Sequence, residues 1–206
     1  SRSHFRAMDI MQTCEPDKVG IEGWLGQVTR ELDPDHENVL TTVNIGRGLP
    51  RALACPGVPV TSVGDLDSYG LMSGIAAAQR AEALDHFKMM YAPAIGTGPV
   101  TDYVARTGLD VIKGADVLKK APESYSSDIE YAETDIARSL RDVARIHLAD
   151  LGTRIFYAQH GGYDTHAIQN PTHPRLLGEL SGAVMDFFQD LRDHGADDEV
   201  VMLIFT

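Results

Sequence analysis

The sequence predicts an α/β fold, a mostly parallel sheet flanked by helices, and three observations carry that prediction. A short β-branched and aromatic run begins at Thr153 and stops at Gly161-Gly162, the pattern of a strand that ends in a polar loop. From Pro174 to His194, apolar residues at Leu176, Leu177, Leu180, Ala183, Val184, Phe187, Phe188 and Leu191 recur at helical spacing, and Gly195 supplies a C-terminal stop. Glu199 to Phe205 then reads as a buried strand, so Thr153 to Thr206 predicts one strand–helix–strand unit, the crossover that parallel strands require. Ligands of open α/β sheets collect at the carboxyl ends of the strands, and His160 to His173 falls at such an end.

Bulk properties narrow the class. With 206 residues and 43% hydrophobic content, the chain can bury a core as a single α/β domain spanning 1–206, with a helical insert over about 68–150. Lys and Arg number 18 against 30 Asp and Glu, giving a net charge of −12 with no basic run. That balance argues against nucleic acid or an anionic membrane surface as partner. The longest strongly apolar run, Val200 to Phe205, is far shorter than the roughly 20 residues of a spanning helix. Two cysteines, Cys14 and Cys55, lack metal-motif spacing and fix no redox compartment. The chain opens at Ser1 without Met and stops inside or at the end of a hydrophobic strand, which predicts an internal fragment, incomplete at both ends.

Taken in order, the first residues predict a short helix carrying Phe5, Met8 and Met11. Ser1 or Ser3 then stands near a helix N-terminus, either as an ordinary cap or as a hydroxyl where free N–H groups favour anions. Gly23 to Leu32 is an amphipathic helix around Trp24, Leu25 and Val28, and Val39 to Ile45 a strand broken by Gly46-Arg47-Gly48, a plain turn lacking a dinucleotide fingerprint. Prolines and glycines punctuate a short extended piece from Pro56 to Val63. Helices follow over Ser68 to Met90 and Thr101 to Lys120, the second with Val104, Val111, Ala115 and Leu118 on one side. Ser127 with Glu130 forms a capping box that opens a helix to about Asp150, with Ile129, Ile136, Leu140 and Val143 inward and His147 as a core histidine.

The chemistry concentrates in one loop. Four of the eight histidines lie between His147 and His173, and three of them flank Asp164. Asp164 and His166, two apart, share a side of an extended segment, as a carboxylate and an imidazole meeting one metal would. His173 precedes Pro174, which predicts an N-cap with the proline at the first helical position and the ring near the positive dipole end. Such an Asp/His set suits zinc or manganese better than calcium alone, whereas the plain alternative is a polar loop whose histidines bond backbone groups. A metal beside a hydroxyl nucleophile is a recurring arrangement for hydrolysing phosphate or sulfate esters.

Ser1-Arg2-Ser3-His4-Phe5, the Gly46 to Leu53 stretch, and above all Gly161-Gly162-Tyr163-Asp164-Thr165-His166 with His173 and Leu176 to Leu180 resemble a bacterial family. It is the domain-of-unknown-function family numbered fifteen-zero-one, often exported by a twin-arginine signal and related to the sulfatase and alkaline phosphatase superfamily. The resemblance implies a metal-dependent hydrolase, periplasmic or exported, acting on a small anionic ester. It implies metal binding by Asp164 and His166 with His173, the metal being zinc, or calcium or manganese. It makes Ser3, less so Ser1, the nucleophile. The Asp-Thr-His spacing is tighter than that of alkaline phosphatases, and the family's later Asp-His-Gly motif and leading strand are not in this sequence, so half a site, inactive on its own, is expected. A non-catalytic envelope protein with the same fold is the alternative.

Overall fold

The computed structural model describes residues 4–69, 76–119 and 121–205. Seven helices and three strands are assigned there: α1 (His4–Thr13), α2 (Trp24–Leu32), β1 (Thr42–Ile45), β2 (Thr61–Val63), α3 (Ala77–Tyr91), α4 (Pro99–Leu118), the single turn α5 (Ala121–Ser124), α6 (Asp135–Leu148), β3 (Ile155–Ala158) and α7 (Gln169–Asp193). The strands form one parallel sheet in the order β2-β1-β3. This is an α/β arrangement, as the sequence predicts.

Strand alternation sorts the side chains of this sheet onto two faces. Val43 and Ile45 of β1, Val63 of β2 and the half-buried Phe156 and Ala158 of β3 face the main core, where they meet α6 and α7. Phe187, fully enclosed there, is stabilised by roughly 1.5–3 kcal/mol through burial alone. Tyr157 faces the opposite side and packs on Ala52 and Leu53 with Trp24 and Leu25 of α2. On that side the Thr29 and Thr42 hydroxyls share a 2.6 Å hydrogen bond. Close approach of α2 to the Arg51–Leu53 turn is possible because Gly26 has no Cβ, which would lie 2.6 Å from the Leu53 carbonyl oxygen.

Several sequence expectations need correction. The segment after Glu199 is not a strand: 200–205 pairs with no strand among the described residues, and Val201 is 96% exposed. Its alternation survives, since Val200 and Met202 touch the main core, but ladder bonds are missing. Ser127 does not open a helix. Its hydroxyl donates to Asp190 at 2.6 Å and accepts from Ile129 N–H, so α6 starts later, capped by Thr134, whose hydroxyl accepts from Ala137 N–H. Ile136, Leu140 and Val143 face inward as the spacing predicts, whereas Ile129 precedes the helix.

The helix expected from Ser68 begins at Ala77. Asp65 folds Asp67 and Ser68 into a turn by accepting both N–H groups, and 70–75 lie outside the described residues. In α4 the buried stripe is Ala105, Ile112, Ala115 and Leu118, one residue round from the expected Val104 and Val111. Those two valines line an apolar groove of ≈ 280 Å³ against Phe87, Tyr91 and Tyr103. Helix α1 forms, yet Phe5 and Met8 are exposed. No helix among the described residues is long and apolar enough to cross a membrane.

The far end of α7 is tied to the chain before α6 by a buried carboxylate. Asp190, wholly enclosed, accepts from Tyr125 Oη at 2.6 Å, Tyr131 Oη at 2.8 Å and Ser127 Oγ at 2.6 Å. Burial and the Asp190 carboxylate push the Tyr125 phenol up to about 12, and the Tyr131 phenol is raised by the same causes. His194 stands one turn on. Its Nδ1 lies 2.8 Å from the Asp190 carbonyl and its Nε2 3.0 Å from that of Ser126. Two acceptors facing two ring nitrogens favour the doubly protonated ring, and the Asp190 carbonyl foremost holds its pKa above the ordinary value.

A pH prediction follows from that sign. A raised folded pKa contributes stability below the unfolded value near 6.5, and the contribution fades as pH rises through the folded value. The melting temperature of the wild type should therefore exceed that of His194→Gln at pH 5.5 and approach it by pH 8.5; a gap independent of pH would contradict this.

Candidate functional site

The three strands end level. Ile45 pairs with Val63 on one side and with Ala158 on the other, so the loops after β1, β2 and β3 leave a single edge of the sheet. The chain after β3, residues 159–168, is drawn back onto the start of α7 by two histidines. His160 Nδ1 lies 2.9 Å from the Tyr163 hydroxyl, and its Nε2 is 3.5 Å from Glu179, which itself pairs with Arg175. The Tyr163 ring stands edge-on to both His160, with centroids 5.3 Å apart, and His173, 6.1 Å apart.

His173 is held from the loop side. Its Nε2 is 3.0 Å from the Tyr163 carbonyl and 3.1 Å from Thr165 Oγ1. A carbonyl only accepts, so Nε2 is the donor of that bond. The expected N-cap role is corrected: α7 starts at Gln169, with Ile168 in a left-handed conformation before it, and both His173 and Pro174 lie inside the helix. The first four N–H groups of a helix have no intrahelical acceptor, so Pro171 in the first turn costs no bond, and Pro174 follows within the next turn. Proline disfavours helical backbone in the residue before it without forbidding it.

Asp164 and His166 meet, as their spacing suggests. His166 Nε2 lies 3.3 Å from Asp164 Oδ1, and both side chains are open to solvent at 73% and 83%. Among the described residues, no three His, Cys, Asp or Glu side chains form a group able to hold a metal ion. The donor chemistry thus fits a cation at two positions, and His173 is turned to the loop. Ser1 and Ser3, the expected nucleophiles, lie outside the described residues. His147, expected in the core, is half-buried against Phe156, with Nε2 3.2 Å from Glu199.

A polar cleft of ≈ 490 Å³ opens beside the loop, between Thr134 and Asp135 at the head of α6, Gln159 and His160 after β3, and Arg175 and Glu179 on α7. His160, Tyr163 and Glu179 lie in or beside the motif the sequence points to, but their spacing assigns them no role in the site. The available signal was the Arg175/Glu179 pair, four apart at the start of an amphipathic helix that follows a histidine loop. No family model, curated protein or solved structure matches the chain.

Proposed function

We propose that the chain carries part of the site of a metal-dependent hydrolase of phosphate or sulfate esters, alkaline phosphatase-like or sulfatase-like in fold and exported to the periplasm. The observation behind it is the solvent-open contact of Asp164 and His166 on the loop at the carboxyl end of β3. Zinc, or calcium or manganese, would be held by these two side chains. Catalytic zinc sites use three protein ligands; the resemblance assigns the third to His173, which would have to turn toward Asp164 and His166 to join them. A histidine that ligates a metal commonly donates its other ring N–H to a backbone carbonyl, and the Nε2 contact with the Tyr163 carbonyl would serve that purpose.

Bound there, a cation would lower the pKa of a hydroxyl nucleophile and neutralise charge growing on the transferred group. Ser3, or Ser1, is assigned that hydroxyl by the family resemblance alone. The loop's own residues do the positioning: Tyr163 spaces the two histidines, and Glu179 anchors His160.

Turnover of aryl phosphate and aryl sulfate by the metal-supplemented full-length protein tests this. Even outer-shell partners of a metal contribute ~10–100-fold, so Asp164→Ala and His166→Ala should each lose at least about a hundredfold in kcat/KM, and Ser3→Ala should abolish the reaction. Unchanged kcat/KM in Asp164→Ala would refute it. The second reading, a non-catalytic envelope protein, is favoured by the engagement of His173 with Thr165 and Tyr163; a folded wild type that binds metal without any turnover would decide for it.

A further inference from the structure

We propose that Arg47 is the oxyanion-recognition residue of the sheet's carboxyl edge, gripping the tetrahedral group of a phosphate or sulfate ester. Its choice of ligand rests on the hydrolase reading above; its placement does not. Arg47 follows the end of the central strand, and the register puts its loop beside the one that carries His160 and Asp164, on strands about 4.8 Å apart.

The Gly46-Arg47-Gly48 loop is braced from beneath. Buried Asn44 donates from Nδ2 to the Gly48 carbonyl at 3.0 Å and, more weakly, to that of Gly46 at 3.4 Å, while Ser62 Oγ donates to the Gly48 carbonyl at 2.6 Å. Gly46 N–H donates to Val63 O at 2.7 Å. Gly48, at φ +79°, adopts a conformation that favours glycine. These bonds engage carbonyl oxygens whose negative ends would otherwise repel an anion. The Arg47 stem lies over Gly64, just after β2, where an added Cβ would meet Cγ at 3.4 Å and Nε at 3.7 Å.

Charge distinguishes the residue at this edge of the sheet. Arg51, Arg138, Arg145 and Arg175 each hold a carboxylate, but exposed Arg47 has no ion-pair partner among the described residues. Asp65, the acid nearest Gly64 in sequence, accepts from the Asp67 and Ser68 N–H groups. In a chain of net charge −12, an unpaired guanidinium at the ligand-binding edge of a parallel sheet attracts an anion and offers it a bidentate fork.

Calorimetric titration of the metal-free protein with inorganic phosphate, and separately with sulfate, tests the assignment and tells the two anions apart. Arg47→Gln should weaken binding about tenfold or more, as loss of a charge-assisted pair does, and Arg47→Lys should fall between, keeping the charge without the fork. Arg154→Gln, at the opposite end of the sheet, should bind like the wild type. Equal affinity in Arg47→Gln, an equal loss in Arg154→Gln, or no binding by the wild type would overturn the proposal. Arg47-dependent anion binding without ester turnover by the full-length protein would sink the hydrolase reading and leave this one standing.

Discussion

Asp190→Ala should lower the unfolding free energy by about 3–5 kcal/mol, the cost of removing one side of a buried charged hydrogen-bond set. Its carboxylate is wholly enclosed and receives three hydroxyl hydrogen bonds, from Tyr125, Ser127 and Tyr131. Truncation leaves those donors facing a cavity that none can leave without unpacking the chain ahead of α6. The loss would show as an earlier urea midpoint with the slope unchanged. Asp190→Asn should cost less, because its amide keeps one acceptor while its NH₂ meets hydroxyls that must then turn round. A midpoint shift equivalent to under about 1 kcal/mol for Asp190→Ala would show that the hydroxyls find water instead.

Arg145→Met should have the next largest effect, about 3 kcal/mol or more at neutral pH. Arg145 bridges Asp142 on its own helix, at 3.1 Å, and Asp67 after β2, at 2.5 Å. Asp67 is largely exposed, so that arm contributes little once solvent screens it. The cost lies with Asp142, whose carboxyl burial pushes above the usual range while Arg145 opposes the shift. Methionine fills the space but leaves that carboxylate without its ion-pair partner, with only the long Leu66 N–H bond at 3.4 Å. Protonating it relieves the charge, and a group with a raised folded pKa loses stability as pH rises, so the deficit of the variant should be smaller at pH 5 than at pH 8. A deficit that grows on acidification would contradict this account of Asp142.

Where the sequence reading succeeded, local chemistry agreed with the tertiary solution. The β3 strand, the loop after it and most of α7 were visible because aromatic and β-branched residues, a Gly-Gly stop and a one-sided stripe follow one another without conflict. Gly195 ends α7 at φ +70° as its position suggests. Failures came where a distant partner took over a local signal. Ser127 has the composition of a cap, yet its hydroxyl belongs to Asp190, 63 residues on. His173 has the sequence of an N-cap, but the helix starts before it and its ring answers to Tyr163. Hydrophobicity alone made a strand of 200–205, though strands also need a ladder partner.

The site divides the same way. Asp164 and His166, two residues apart, could be paired from spacing because a single residue separates them within one loop, here folded by the Thr165 N–H bond to the Tyr163 carbonyl. His160 and Glu179 could not, since their contact depends on how the loop returns to α7. Arg47 read as part of a turn, and only the level ends of β1, β2 and β3 place it beside the histidine loop.

The most direct test of the central claim is the divalent metal content of the purified protein, by elemental analysis of the wild type beside the Asp164→Ala/His166→Ala double variant. The account predicts zinc, calcium or manganese at close to one equivalent or more per chain in the wild type, and its loss in the folded double variant. Equal metal in both proteins, or none in the wild type after incubation with each cation, would contradict it.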